Sequence, residues 1–184
     1  FQQKLIVACG DKEGNIGIWD VDNSSIENQG IFKYKPHVSN ICAIHCNNNS
    51  IIDSRLYTCS YDGTIRYIDL NTSTFTLLFQ TPEDIHDIIL SDINFSPFND
   101  NEIFIGRNDG KIGFIDTRIG SSSHAYISNY QWLFPFHEYK INSVQQHPID
   151  SNYLLSASST KLGNISIHDI RKLNKKKGLV QAHQ

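Results

Sequence analysis

The chain lacks long hydrophobic runs, a strong charge of either sign and methionine. No run of 18 apolar residues occurs and the start does not resemble a signal peptide, so nothing in the sequence suggests membrane insertion or secretion. The formal net charge is only −3 at pH 7, so the overall basic balance of most DNA-binding domains is missing. With 39% hydrophobic residues, the composition fits a soluble β protein.

The motifs of common enzyme classes are missing as well. The sequence has no glycine-rich phosphate loop and no nucleophile motif, and no second cluster of reactive side chains accompanies His45 or His147. His147 is followed by Pro148, which cannot continue a strand ladder, so this pair is predicted to end a strand. We therefore predict a protein that is not an enzyme and that uses no cofactor.

Cysteine is scarce, and its positions favour thiols over disulfides. All four cysteines, Cys9, Cys42, Cys46 and Cys59, fall within predicted strands, where buried reduced thiols are expected. Cys42 and Cys46 with the nearby His45 invite a zinc interpretation. A second pair of ligands at metal spacing is missing, so no metal site is predicted.

The chain contains four copies of one pattern, in which an apolar run, a turn and a β-branched run end in aspartate. The copies span Leu5–Val21, Leu56–Leu70, Ile103–Thr117 and Leu154–Ile170. Their closing aspartates, which are 49, 47 and 53 residues apart, are Asp20, Asp69, Asp116 and Asp169. This spacing is close to the period of one four-stranded propeller blade, so it predicts an all-β propeller.

Each copy reads as two strands joined by a tight turn. In the second copy Ile65 and Tyr67 alternate with Arg66, the period-two pattern of a strand. The dipeptides Asp62-Gly63 and Asp109-Gly110 predict type I′ turns between the strands. A further strand is predicted before copies two to four, and a more exposed fourth strand is predicted after each closing aspartate, as in residues 73–80.

These features resemble the WD-repeat family over nearly the whole chain. In that family a histidine starts each repeat and a Trp-Asp pair ends the third strand. His37 and His137 match the histidine, and Trp19-Asp20 is the intact pair. Degenerate versions of the pair close the other copies: Ile68-Asp69, Ile115-Asp116 and His168-Asp169.

The resemblance implies a single β-propeller domain over residues 1–184. Its blade segments are predicted at about 1–36, 37–84, 85–136 and 137–184. Because propellers close with about four to eight blades, these roughly three and a half blades are expected to belong to a larger, seven-bladed propeller. The blade interiors are predicted to bury Cys59, Ile65, Tyr67, Ile105, Phe114, Leu155 and Ile167.

The order and spacing of the four blades resemble the group that contains damaged-DNA-binding protein 2 and WD-repeat protein 76. The matching segments are 10–20, 60–70, 114–118, 137–148 and 168–173. Members of this group bind DNA or chromatin and dock on the large damaged-DNA-binding subunit of cullin-4 ubiquitin ligases. The resemblance therefore implies a nuclear protein with these two partners, and neither a membrane nor a small-molecule substrate is expected.

The docking expectation rests on two Asp-x-Arg triplets at strand ends. Adaptors of this ligase share a pattern that ends in an aromatic residue, aspartate, an aliphatic residue and arginine. Asp116 with Arg118 and Asp169 with Arg171 match its end in degenerate form. A guanidinium two residues after such an aspartate can fork onto the carboxylate and present its remaining donors at the blade edge. The alternative is an internal salt bridge that touches no partner.

Five basic residues are candidates for contacts with DNA phosphates: Lys12, Arg107, Lys111, Lys140 and Lys161. All five are predicted at or next to the propeller rim that lies opposite the Asp-x-Arg triplets. By the resemblance, Lys12 and Lys140 match DNA-contacting lysines of the group. Such lysines would bind phosphates as point charges and supply salt-dependent affinity without base identity. The alternatives are solvated turn lysines, and a WD-repeat scaffold that binds proteins and no nucleic acid.

Overall fold

The computed structural model describes residues 5–23, 29–46, 55–82, 87–118, 127, 130–159 and 163–172. Within these ranges the chain forms fourteen β-strands and one short 3-10 helix at Ile170–Lys172. That helix is a single turn, so the described part of the chain contains no helix long and apolar enough to cross a membrane.

The strands form four antiparallel sheets that follow one another along the chain. The first sheet contains β1 (Ile6–Gly10), β2 (Ile16–Asp20) and β3 (Ile31–Tyr34). The second contains β4 (Ile41–Cys46), β5 (Arg55–Ser60), β6 (Thr64–Asp69) and β7 (Thr74–Gln80). The third contains β8 (Leu90–Phe95), β9 (Glu102–Arg107), β10 (Lys111–Asp116) and β11 (Trp132–Pro135). The fourth contains β12 (Ile141–Gln146), β13 (Tyr153–Ser158) and β14 (Asn164–Asp169).

The predicted all-β fold of consecutive antiparallel sheets is confirmed. Each sheet lies within one of the four predicted blade segments, whose boundaries stay a prediction. The fourth strand predicted after Asp169 lies outside the described residues.

The Asp-Gly turns are three-residue loops, so the prediction of type I′ turns is wrong. Gly63 has a φ of 78°, but Asp62 does not adopt a positive φ, which a type I′ turn requires at both central residues. The Gly63 N–H donates to the Ser60 carbonyl at 3.2 Å, so the turn runs from Ser60 to Gly63. Gly63 is its residue in the left-handed conformation. Asp62 fits this geometry because its Oδ1 accepts the Thr64 N–H at 3.0 Å. The loop at 108–110 also has its single positive φ at glycine.

The sheets pack against one another through apolar faces. The largest buried cluster includes Cys59, Ile65 and Ile105, which are each 0% exposed, as predicted. Tyr67 and Phe114 are only partly buried. The cluster draws on the second and third sheets, so it fixes how neighbouring blades sit against each other.

The outer faces of the end sheets are exposed, and several predictions of burial are wrong for that reason. Leu155 and Ile167 are 40% and 63% exposed, whereas Leu154 on the opposite face of β13 is buried in a cluster with residues of the third sheet. Among the described residues, no element covers the face that carries Leu155 and Ile167. Cys9 in β1 of the first sheet is exposed as well, in contrast to its predicted burial. Cys46 was also predicted to be buried, and it is exposed at the end of β4 in the second sheet.

The sheets present two opposite rims. The turn rim consists of the β1–β2, β5–β6 and β9–β10 turns and the three segments that enter β4, β8 and β12 (35–40, 87–89 and 136–140). Backbone hydrogen bonds join turns to these segments, for example from Tyr61 to Asn40 at 2.9 Å. The strand-end rim lies at the other ends of the strands and carries the closing aspartates of β2, β6, β10 and β14.

Candidate functional site

Lys140 reaches across the turn rim to Tyr61. Lys140 directly precedes β12 of the fourth sheet, and Tyr61 directly follows β5 of the second sheet. The ammonium of Lys140 donates to the phenol oxygen of Tyr61 over 2.7 Å and lies 4.9 Å from the ring centroid. The contact joins the second and fourth sheets, which are separated by the third sheet along the chain. It fixes the position of the Lys140 charge on the turn rim.

Lys12 and Lys111 also lie on the turn rim, but their settings differ. Lys12 is exposed in the β1–β2 turn. Lys111 starts β10, and its ammonium lies 3.3 Å from the carboxylate of Asp109. Burial alone would raise the pKa of Asp109, but the hydrogen bond and charge of Arg107, together with those of Lys111, lower it overall. Asp109 therefore stays ionised and offsets part of the local positive charge.

Arg107 is buried, which contradicts its prediction as a phosphate contact. The residue is 1% exposed, and its Nε and Nη2 donate to Asp109 at 3.0 and 2.7 Å. Its guanidinium also lies 5.5 Å from the ring centroid of Tyr130. Arg107 thus supports the β9–β10 turn from beneath, where a phosphate on the surface does not reach it. Lys161, the fifth candidate, lies outside the described residues.

Acidic residues are interleaved with the lysines of the turn rim. Glu13 follows Lys12, and Glu138 lies two residues before Lys140, and both glutamates are exposed. Asp62 also lies on this rim, although its carboxylate accepts hydrogen bonds from within the second sheet. The described part of the rim therefore presents separate positive points and not one continuous basic patch.

Two arginine forks of the same geometry lie on the strand-end rim. The Nε and Nη2 atoms of Arg171 donate to Oδ1 and Oδ2 of Asp169 at 2.8 and 2.7 Å. Arg118 forks onto Asp116 through the same atoms. The Arg118 and Arg171 side chains remain 60% and 59% exposed, so each fork keeps free N–H donors at its blade edge.

The forks fix the charge of their aspartates. The hydrogen bond from Arg171 lowers the pKa of Asp169 to about 2. The hydrogen bond from Arg118 likewise lowers the pKa of Asp116. Both pairs are therefore ionised at neutral pH, and each forms a charge-assisted hydrogen-bonded unit.

A cleft of about 340 Å³ with a mixed polar and aromatic lining adjoins Arg171 on the strand-end rim. Phe104, Phe114 and Trp132 form its wall, and the rings of Phe114 and Trp132 stack with 5.4 Å between centroids and 11° between planes. The rim thus places aromatic surface beside the exposed guanidinium of Arg171. Aromatic residues and arginine are enriched at protein–protein interfaces, so this rim suits a protein partner.

A buried network supports the turn rim in the second sheet. Nδ1 of His37 donates to Oδ2 of Asp62 at 3.0 Å, and Nε2 of His37 lies 2.9 Å from Oγ1 of Thr58. Burial alone would raise the pKa of Asp62, but hydrogen bonds from His37 and Thr64 hold it at about 2. The network ties the segment before β4 to the β5–β6 turn.

A different network occupies the corresponding place in the fourth sheet. Nε2 of His137 and Nε2 of His168 contact the same Ser156 hydroxyl, at 2.7 and 2.8 Å. His168 stands at the position where the repeat pattern has tryptophan. Burial lowers the pKa of His168 to about 4, and burial also lowers the pKa of His137.

The segment from β3 to β6 matches a known family. Residues 28–69 match the family described as WD domain, G-beta repeat. The match includes His37, Thr58 and Asp62, the three members of the buried network. Residues 28–69 are therefore a WD repeat. The four consecutive antiparallel sheets are blades of a β-propeller of this repeat type.

Relatives with similar sequences cover most of the chain. It is 33% identical over 96% of its length to DNA damage-binding protein CMR1 of Vanderwaltozyma polyspora, and covers 33% of that protein. It is 31% identical over 92% of its length to DNA damage-binding protein CMR1 of Debaryomyces hansenii, and covers 29% of it. It is 26% identical over 92% of its length to WD repeat-containing protein 76 of Rhinolophus ferrumequinum, and covers 24% of that protein. The chain thus spans a third or less of these curated relatives.

Solved structures share the arrangement of strands. The computationally designed Ika8 protein superposes with a TM-score of 0.63 at 20% identity, over 92% of this chain and 44% of that one. A chain of the mitotic checkpoint complex superposes with a TM-score of 0.65 at 17% identity, over 91% of this chain and 45% of that one. At such identities the likeness shows the fold alone.

Lys140 was predicted from the sequence, whereas its partner Tyr61 was not. In the observed register, Ile6 pairs with Asp20 and Arg55 pairs with Asp69. Counted from these two residues, Lys12 and Tyr61 occupy the same turn position. Alignment of the repeats on their closing aspartates would therefore have placed Tyr61 on the same rim as Lys12.

Proposed function

We propose that the protein is a binding protein without enzymatic activity, which recognises damaged DNA or chromatin through its turn rim. The names of the two CMR1 relatives, DNA damage-binding proteins, support this proposal. The observation that carries it is the common rim position of Lys12, Lys111 and Lys140. Because the chain spans a third or less of these relatives, the activity of the whole protein is part of the proposal.

The proposed contact is electrostatic and independent of base sequence. Each lysine neutralises a phosphate, and the released counterions give the affinity a salt dependence. Glu13 and Glu138 are exposed neighbours of Lys12 and Lys140 in the sequence, and their charges repel the same phosphates. Lesion or base preference would therefore have to come from other contacts, since phosphate contacts carry no sequence information.

We infer a second function for the strand-end rim, which is docking on the large damaged-DNA-binding subunit of a cullin-4 ubiquitin ligase. The exposed forks at Arg118 and Arg171 favour it, because both keep free N–H donors at a blade edge. Those of Arg171 also lie beside the cleft of Phe104, Phe114 and Trp132. In this arrangement, Asp169 orients Arg171 and the partner accepts from the outer face of the guanidinium. The two rims would then let one propeller hold DNA and ligase together, in the nucleus.

The rival function is a WD-repeat scaffold that binds proteins and no nucleic acid. The interleaving of Glu13 and Glu138 with Lys12 and Lys140 favours this rival, because a strong DNA binder usually clusters its cations. The two functions differ in whether the turn rim binds duplex DNA at all.

A gel shift with damaged and undamaged duplexes at two salt concentrations tests the DNA function. The proposal expects the full chain to shift both duplexes and to release them as salt increases, because phosphate contacts dominate. A wild-type protein that shifts neither duplex at the lower salt concentration supports the scaffold instead.

A pull-down with Arg171→Ala tests the docking function. The variant is expected to capture the ligase subunit roughly tenfold less well, because the hydrogen bonds of a charged group across the interface are lost. Arg118→Ala is the matched control and is expected to have the smaller effect, since Arg118 does not line the cleft. Wild-type capture by folded Arg171→Ala at limiting protein concentration would remove the main residue of the docking proposal.

A further inference from the structure

Tyr61 keeps an unused hydrogen-bond donor beside the Lys140 charge. A protonated ammonium cannot accept a hydrogen bond, so Lys140 donates in their 2.7 Å contact and the phenol oxygen of Tyr61 accepts. The hydroxyl hydrogen of Tyr61 takes no part in this contact. Within the described ranges, no other group is hydrogen-bonded to the phenol oxygen, so this hydrogen is available to an acceptor from outside.

We propose that Lys140 and Tyr61 form one phosphate-binding unit, in which the ammonium and the hydroxyl donate to the same phosphate of a DNA backbone. This inference rests on the proposed DNA-binding function. The two donor atoms are 2.7 Å apart, so different oxygens of one phosphate group can accept from both. Lysine supplies the charge, and tyrosine is among the side chains that donate to phosphate oxygens in DNA complexes.

Both residues of this unit are half-buried, so part of the unit faces solvent while the surroundings hold it in place. Asp62, the neighbour of Tyr61, directs its carboxylate at groups inside the second sheet and not at the phenol. The Tyr61 N–H donates to the Asn40 carbonyl at 2.9 Å, and the Lys140 carbonyl accepts the Ser159 N–H at 2.8 Å. Both backbones are therefore fixed before a ligand arrives, which reduces the entropy lost on binding.

The lysine and the tyrosine have different experimental signatures. Loss of one lysine contact removes one counterion-releasing charge, so the dependence of log affinity on log salt becomes shallower by about 0.9 for duplex DNA. Tyrosine carries no charge in this contact. Loss of its hydroxyl therefore lowers the affinity at every salt concentration and leaves the slope unchanged.

The test compares Tyr61→Phe, Lys140→Gln and the double variant in the full chain, with duplex binding measured by fluorescence anisotropy over a salt series. Tyr61→Phe is expected to weaken binding about three- to tenfold with an unchanged slope, as for one lost hydrogen bond. Lys140→Gln is expected to weaken binding with a shallower slope. The double variant is expected to lose less than the product of the single losses, because the two groups act as a unit.

The matched control is Tyr153→Phe, which removes the same hydroxyl at the start of β13, away from the turn rim. It is expected to bind like the wild type. If folded Tyr61→Phe binds like the wild type while Lys140→Gln binds more weakly, the unit is wrong and the DNA function stands. A slope change in Tyr61→Phe would also refute the unit. If Lys140→Gln leaves affinity and slope unchanged, the proposed contribution of Lys140 to DNA binding fails as well.

Discussion

The second and fourth blades stabilise the same place in the fold by different chemistry. In the second blade His37 lies between the carboxylate of Asp62 and the hydroxyl of Thr58. In the fourth blade His137 shares the Ser156 hydroxyl with a second histidine, His168. One blade thus contains a charged acceptor, and the other contains two imidazoles whose pKa values are lowered by burial.

Where the tryptophan is missing, these two blades satisfy the strand hydroxyl through different partners. Ile68 stands at the tryptophan position of the second blade, and there the Thr58 hydroxyl donates to the Arg66 carbonyl at 3.3 Å. His168 stands at this position in the fourth blade and contacts the hydroxyl itself. The two networks are expected to lose their stabilising effect in different ranges of pH, because the pKa of Asp62 is about 2 and that of His168 is about 4.

The largest expected effect comes from removing the carboxylate of the second blade. Asp62→Ala removes the charged acceptor of the buried His37, which keeps only the Thr64 hydroxyl beside Nδ1, and it removes the hydrogen bonds of the Val38 and Thr64 N–H groups. We expect a loss of about 2 kcal/mol in the free energy of unfolding, measured by urea denaturation.

Glu13→Ala is the matched control for Asp62→Ala. Glu13 is exposed and precedes Gly14, as Asp62 precedes Gly63. The control is expected to change the free energy of unfolding by no more than about 0.5 kcal/mol. Equal stability of the two variants would mean that the Asp62 network does not stabilise its blade.

Mild acid is expected to weaken the fourth blade before the second. The pKa of His168 is about 4 in the folded chain, below the unfolded value, so the unfolded chain binds more protons between about pH 6.5 and pH 4. The stabilisation is therefore complete above this range and is lost as pH falls, by on the order of 2 kcal/mol. Asp62, with a pKa of about 2, contributes down to much lower pH.

A variant isolates this effect in urea unfolding at about pH 7.5 and about pH 5. His168→Gln keeps a hydrogen-bonding group near Ser156 but has no proton to gain. We expect the variant to lose less stability than the wild type between the two pH values. If His168→Gln and the wild type lose the same free energy of unfolding between the two pH values, groups other than His168 cause the acid sensitivity.

The smallest expected effect on stability comes from the arginine forks of the third and fourth blades. Arg118 and Arg171 are about three-fifths exposed, and exposed ion pairs contribute little to folding. Arg118→Ala and Arg171→Ala are each expected to lower the melting temperature by less than about 2 °C, measured by calorimetry. A much larger drop would make the forks internal caps and weaken the docking proposal.

The strand pattern of the chain was predictable because alternation and closing aspartates recur in every blade. Ile65 and Ile105 are buried because they lie in the cluster that the second and third sheets form together. Leu155 and Ile167 follow the same pattern and are exposed, because no described blade covers that face. Periodicity identifies an apolar face, but it does not say whether another element packs on it.

The candidate site was less predictable than the fold. Arg107 carries the charge expected of a phosphate contact, but its guanidinium is buried and donates hydrogen bonds to Asp109, two residues away. Tyr61 was missed because its role depends on Lys140, which is 79 residues distant and comes from another blade. A contact of such long range follows from the assembled propeller and leaves no local pattern in the sequence.

The salt dependence of duplex binding by Lys140→Glu tests the central claim, that the turn rim binds DNA phosphates, most directly. The variant is expected to bind damaged and undamaged duplexes more weakly to the same degree, with a slope of log affinity against log salt shallower by roughly one unit. Lys172→Glu makes the same charge change on the strand-end rim and is expected to bind with the wild-type slope. Unchanged affinity and slope in folded Lys140→Glu would contradict the claim and favour the scaffold that binds no nucleic acid.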